Sequence, residues 1–166
     1  MEPILSNDIS LPHINDLMDE VMEEFWLVKE DAREIDLTLP FIKNLPTEMA
    51  PHILDTMVQQ GYAHKSGDLI QLTALGEKRS LLIIRRHRLA ERLLHEILDI
   101  GNTDEVDTQA CLMEHILTER VTESICKFLG HPTRCPHGKI IPGGDCCKAR
   151  ETHLTPFIRR LCDFNI

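Results

Sequence analysis

The chain reads as a mainly α-helical protein built in two parts, a small helix-and-hairpin unit followed by a helical one, and three observations predict this. Apolar residues recur every three to four positions over long Leu-, Ile- and Glu-rich stretches, the period of helices with one buried face. Aromatic residues make up only 4% of the chain, which with that period favours helices over a sandwich of strands. Charge is also uneven. Residues 1–73 carry four Lys/Arg against fourteen Asp/Glu, a balance of −10, whereas residues 74–166 carry fourteen against thirteen. Such asymmetry marks two units with different jobs.

In order along the chain, Leu17, Val21, Phe25 and Val28 stand at helical spacing with acids between them, so an amphipathic helix is expected over 14–32. A shorter helical piece is expected around 39–45. Thr47 as N-cap and Gly61 as stop frame another helix over 48–60. "YAHKSGDLIQLT" then alternates about Ser66-Gly67, as a β-hairpin does. Three short helices and a hairpin are the outline of a winged helix-turn-helix, assigned to 1–73. Residues 74–100, with "LLIIRRHRLAERLLHEILDI", read as one long helix broken at Gly101-Asn102. Helices over 104–117 and 119–129 follow, the second stopped by Gly130, and close a helical domain at 74–130. "HPTRCPHGKIIPGGDCC" reads as a Pro/Gly-punctuated loop, and a short helix at about 154–164 completes the segment 131–166.

With 166 residues and 42% hydrophobic content, the chain can bury a core in one or two small domains. "MEPILSNDIS" has neither a basic n-region nor an apolar h-region, and no apolar run reaches transmembrane length. A cytoplasmic protein without a membrane partner is expected, and its six cysteines are read as thiols or metal ligands rather than disulfides.

The chemistry-bearing residues cluster on the helical part. In "QACLMEH", Cys111, Glu114 and His115 stand at i, i+3 and i+4, so a helix presents thiolate, carboxylate and imidazole on one face. His87 and Glu91 stand at i, i+4 on the preceding helix. Taken singly, either motif is most simply a solvated ion pair or a small buried thiol. Together, on successive helices, they are how bundle metal sites are built. Cys135, His137, Cys146 and Cys147 form a further candidate, a third site for Zn²⁺ or an iron–sulfur cluster, with Cys126 or Cys162 as substitutes. Free thiols are the plain alternative. With no nucleophile–base arrangement in view, an enzyme is not expected.

The order "RRHRLAERLL", "DTQACLMEHILTERV", "FLGHPTRCPHGKIIPGG" resembles the diphtheria toxin repressor family of iron-dependent repressors, densely over 72–143 and more thinly through the N-terminal unit. The resemblance implies a winged helix followed by a helical metal-binding and dimerisation domain, in the two-domain form lacking an SH3-like domain. It also implies a homodimer that binds double-stranded operator DNA when metal-loaded and silences metal-uptake genes. Carried over by position, Cys111, Glu114 and His115 join Glu20 in a primary site, and His87 and Glu91 join Asp107 in an ancillary one. Glu23 matches an acid that a manganese-sensing branch uses. The retained thiolate favours Fe²⁺, with Mn²⁺ as the alternative. The DNA-reading positions fall on Thr47, Glu48, Met49 and His52, with Lys65 in the wing.

The departures lie in the DNA-reading half. Its charge of −10 opposes binding to phosphate, and Pro40 and Pro51 interrupt segments expected to be helices. The alternative is therefore a metal-sensing or metal-handling protein whose acidic winged helix binds a protein partner. Leu112, Ile116, Val121, Ile125 and Phe128 form a stripe more apolar than a small monomer easily buries, which fits a dimer.

Overall fold

The structure, a computed structural model, describes residues 14–31, 49–66 and 69–148. The chain divides into two compact units, Met1–Glu77 and Lys78–Ile166.

In the first unit, helix α1 (Ile14–Glu30) buries Leu17, Met18, Val21, Met22, Phe25 and Val28 along one side. Helix α2 (Ala50–Gln59) adds Ala50, Ile53 and Met57 to the core. Pro51 does not interrupt this helix, as the sequence suggested it would. It sits in the first turn, where the missing N–H has no helical acceptor to lose. Met49 is the N-cap and makes no side-chain cap bond. Thr47, Pro40 and the helix expected around 39–45 lie outside the described residues.

Gly61 ends α2 as expected. Its φ of 77° turns the chain so that the Tyr62 amide reaches back to the Met57 carbonyl at 2.8 Å. Strands β1 (Ala63–Ser66) and β2 (Leu69–Leu72) then pair antiparallel, from Ala63 opposite Leu72 to Ser66 opposite Leu69. A helix followed at once by this hairpin matches the second half of the winged helix expected from the sequence.

Thr73 joins the hairpin to helix α3 (Ala74–Arg92): its hydroxyl donates to the Gly61 carbonyl and accepts the Gly76 amide. Gly76 passes so close to the hairpin that an added Cβ would stand 2.1 Å from the Tyr62 carbonyl oxygen. Gly76→Ala is expected to destabilise the N-terminal unit by about 1–3 kcal/mol. Gly143→Ala, where a Cβ meets nothing within 4 Å among the described residues, should be near neutral in the same thermal melts.

In the second unit, the helix expected to run unbroken to 100 leaves the α form after Arg92. A π turn spans Leu93–Ile97, with the Leu98 amide bonded to the Leu93 carbonyl, and Asp99 adopts a left-handed φ of 53°. Asp tolerates that conformation better than most residues, so the chain turns two residues before Gly101. Helix α4 (Thr103–Ile116) is capped by the Asn102 side chain, and α5 (Glu119–Phe128) by the Thr118 hydroxyl.

Two apolar clusters hold this unit together. Ala90, Leu94, Val106, Ala110 and Leu117 form one, and Leu89, Cys126, Cys135, Ile141 and Cys146 the other. The second cluster exists because the loop after α5 folds back on itself. Arg134 bridges Ile140, and Arg85 and Arg88 of α3 donate to the carbonyls of Pro142 and Ile140. The loop ends in a single turn, α6 (Asp145–Lys148). The helix expected at 154–164 lies outside the described residues. Among the described residues, no helix is long and apolar enough to cross a membrane.

Candidate metal centres

Helix α4 brings Cys111, Glu114 and His115 together: each offers a ligand atom within 4.8 Å of the others. Glu114 is 1% exposed, unusual for a carboxylate, and ring and acid meet with His115 Nε2 3.6 Å from Glu114 Oε1. Its other oxygen lies 2.8 Å from Nδ1 of His87, across from α3. A carboxylate taken out of water needs such partners, and a cation is the strongest one available. Glu20 and Glu23 lie half-buried on α1 of the N-terminal unit, about one turn apart.

A second group centres on Glu91, buried on the last turn of α3. His87 Nε2 lies 3.6 Å from Glu91 Oε1, and Asp107 completes a set of three ligand atoms within 4.8 Å. The loop contributes here too. His137 Nδ1 lies 2.8 Å from the same Oε1, and Cys135 joins Glu91 and His137 within 4.8 Å. Glu91 Oε2 is buried and, among the described residues, has no hydrogen-bond partner. Such an atom suits a cation, and the carboxylate and imidazole donors around it suit a first-row divalent ion.

Burial alone would push the Glu91 carboxyl up, but the His87 ring, the Cys135 thiol and His137 together hold it down at about 2. A depressed folded-state value contributes stability that is fully present above the ordinary carboxyl range and lost as pH falls through the folded value. Metal-free protein should therefore exceed Glu91→Gln by on the order of 3 kcal/mol at pH 6. That advantage should shrink steadily below about pH 4.5 and be nearly gone at pH 2, as read by urea denaturation of both proteins.

The four loop residues grouped in the sequence reading do not converge. Cys135 and His137 turn to Glu91, while Cys146 and Cys147 join Cys126 and His131, all four offering ligand atoms within 4.8 Å of one another. Cys126 was foreseen as a substitute; His131 was missed. The signal lay in "CKFLGH": Gly130 ends α5, so the next residue folds back over the last turn. The His131 amide bonds to the Cys126 carbonyl at 2.8 Å, with His131 at φ 58°. Within the cluster, burial and the neighbouring thiols push Cys146 up to about 12. Burial opposes ionisation of Cys147 as well, yet a Gly144 backbone hydrogen bond, His131, Cys126 and Arg85 bring it down to about 6.

Of the expected DNA-reading residues, Met49 is half-buried at the start of α2, and His52 and Lys65 are exposed; Thr47 and Glu48 lie outside the described residues. Helix α2 contains no Lys or Arg. Along the expected dimer stripe, Leu112, Ile116, Val121 and Phe128 are exposed, Ile116 at 76%, while Ile125 packs against both apolar clusters.

Residues 73–143 match the family described as iron dependent repressor, metal binding and dimerisation domain. Through this segment the chain is similar to the iron-dependent repressors. The iron-dependent repressor IdeR of Mycobacterium tuberculosis is 38% identical over 88 residues, covering 52% of this chain and 38% of that protein. The diphtheria toxin repressor of Corynebacterium diphtheriae is 37% identical over 76 residues, covering 46% of this chain and 33% of that protein. The matched part is thus well under half the length of these curated relatives. A solved manganese-dependent transcriptional repressor in complex with manganese superposes with a TM-score of 0.70 at 27% identity, covering 77% of this chain and 59% of that one. The fold class read from the sequence, mainly α with a winged helix-turn-helix ahead of a helical metal-binding and dimerisation domain, agrees with the observed element order and with this superposition.

Proposed function

We propose that the protein is a metal-dependent transcriptional repressor: a homodimer that binds operator DNA when Cys111, Glu114, His115 and Glu20 share a divalent ion. The observation that carries this reading is Glu114, a carboxylate buried on the same face of α4 as a thiol and an imidazole. An ion bound there adds a full positive charge to the His87 and His115 contacts this carboxylate already makes. Within the chain, His87 orients the Glu114 carboxylate through its 2.8 Å contact, the usual task of a group behind a metal ligand. His87 also faces Glu91, so occupation of the His87/Glu91/Asp107 group bears on the orientation of Glu114. Cys111 and His115 must shed or lack a proton to ligate, so affinity should fall with pH.

The ion is Fe²⁺ in this reading. A thiolate beside imidazole and carboxylate suits Fe²⁺ better than Mn²⁺, which favours all-oxygen or oxygen–nitrogen sets. Mn²⁺ is the alternative because Glu20, Glu23 and Asp107 are hard donors and because a structural relative is a manganese-dependent repressor. Exposed Leu112, Ile116, Val121 and Phe128 supply an apolar surface for a second copy.

One observation favours a second reading: α2 has no cation, and residues 1–73 carry −10. Under that reading metal still binds, but the winged unit takes a protein partner.

Glu20 separates the outcomes because it lies in the N-terminal unit and the other three ligands in the helical one. Metal shared between them would bias the arrangement of the two units, as a switch requires. Glu20→Ala is expected to remain a folded dimer with weaker metal binding and no gain in DNA affinity on adding Fe²⁺ or Mn²⁺. A variant that responds to metal like its parent excludes Glu20. A parent that binds metal but ignores DNA supports the second reading.

A further inference from the structure

We propose that Cys126, His131, Cys146 and Cys147 hold a permanent Zn²⁺ ion, separate from the sensor ion, which fastens the loop after α5 to α3. The spacing of the four donor atoms is the first reason. A tetrahedral Zn²⁺ with arms of about 2.3 Å to sulfur and about 2.05 Å to nitrogen has S···S edges of about 3.8 Å and S···N edges of about 3.6 Å. Here Cys126 Sγ lies 3.6 Å and Cys146 Sγ 3.9 Å from Cys147 Sγ. His131 Nδ1 lies 3.5 Å from Cys126 Sγ and 3.6 Å from Cys147 Sγ. The two remaining edges are under 4.8 Å. An iron–sulfur cluster spreads its cysteines over more than one iron and needs a wider cage.

Charge is the second reason, and it is independent of the first. Arg85 is 4% exposed, and among the described residues its guanidinium faces no carboxylate. It donates instead to the Pro142 carbonyl, to Cys146 Sγ at 3.2 Å and to Cys147 Sγ at 3.8 Å. A buried guanidinium needs an anion. Zn²⁺ with three thiolates and a neutral imidazole carries one net negative charge, which Arg85 balances. On loading, each ligating thiol still protonated gives its proton to solvent, so up to three protons leave per ion. Gly144 makes the approach of the arginine feasible, because a Cβ there would stand 2.9 Å from Arg85 Nε.

Sequence order supplies the third reason. The donors come from the last turn of α5, the residue after its Gly130 stop, and α6, so one ion closes the Pro/Gly-rich segment at both ends. His131 holds a left-handed φ that a non-glycine residue adopts only when its surroundings enforce it.

The test is metal analysis of the full chain, purified under reducing, anaerobic conditions and dialysed against EDTA. About one Zn²⁺ per chain should remain. Cys111→Ser and Glu91→Gln should keep it, whereas His131→Ala should lose it and His131→Cys retain it. Arg85→Met should weaken retention about 10- to 100-fold against a competing chelator. Should the His131 variants fail to fold, Co²⁺ exchanged into Cys111→Ser protein, which lacks the sensor thiolate, must show the thiolate-to-metal absorption of a tetrahedral site. Iron with acid-labile sulfide, a retained ion that Cys111→Ser abolishes, or protein with no retained ion would each overturn the proposal.

Discussion

Glu114→Gln is expected to abolish metal-dependent DNA binding while leaving the helical unit folded. The amide matches the carboxylate in shape, fits the same buried slot and can still meet His87 Nδ1 through its oxygen. It cannot supply the negative charge that a divalent ion requires once water is excluded. Removing a group that merely orients a ligand costs 10- to 100-fold in affinity, so loss of the ligand itself should cost more than about 100-fold. Competition with a fluorescent chelator reads the affinity, and circular dichroism reads the fold. Affinity within threefold of the parent would place the sensor ion elsewhere.

The second large effect concerns assembly. In a two-fold dimer each substitution appears twice and faces the same surface of the partner. Leu112→Glu with Ile116→Glu would therefore bring four carboxylates into the proposed apolar interface. The pair is exposed in the single chain, at 60% and 76%, so the monomer should fold unharmed. Light scattering should find a monomer at micromolar concentration, with the metal sites of α4 still able to bind. DNA affinity should fall steeply, because one winged unit alone reads half a site. A dimer that persists would show that Val121, Phe128 or another surface carries the contact.

Much of this architecture was legible in the residues because helices announce themselves by period. Leu17, Val21, Phe25 and Val28 mark α1, and Cys111, Glu114 and His115 share a face of α4 for the same reason. Gly61 and Gly130 stop their helices through backbone conformations that glycine favours. Spacing says less where long-range contacts decide. The π turn at Leu93–Ile97 uses residues that would serve an α-helix equally well, and Pro51 reads as a breaker until its place in the first turn is known. The loop is the sharpest case. Whether Cys135 faces Glu91 or Cys146 depends on how 131–147 lies against α3, and Arg85 and Arg88 help set that by binding carbonyls more than fifty residues away. No local pattern records those bonds, so residues that face different neighbours were grouped together and His131 was missed.

The measurement closest to the central claim is DNA affinity of the reduced protein under anaerobic conditions, by fluorescence anisotropy, with and without Fe²⁺. A duplex from the protein's own promoter region and an unrelated duplex should be compared across a salt series. The ion should tighten binding to the promoter duplex by about 100-fold or more, the shift expected when it moves a two-state equilibrium by roughly 3 kcal/mol. The unrelated duplex should gain far less, and binding to both should weaken as salt rises. Equal affinity for the promoter duplex with and without the ion, in protein shown to have bound it, would contradict a metal-controlled repressor.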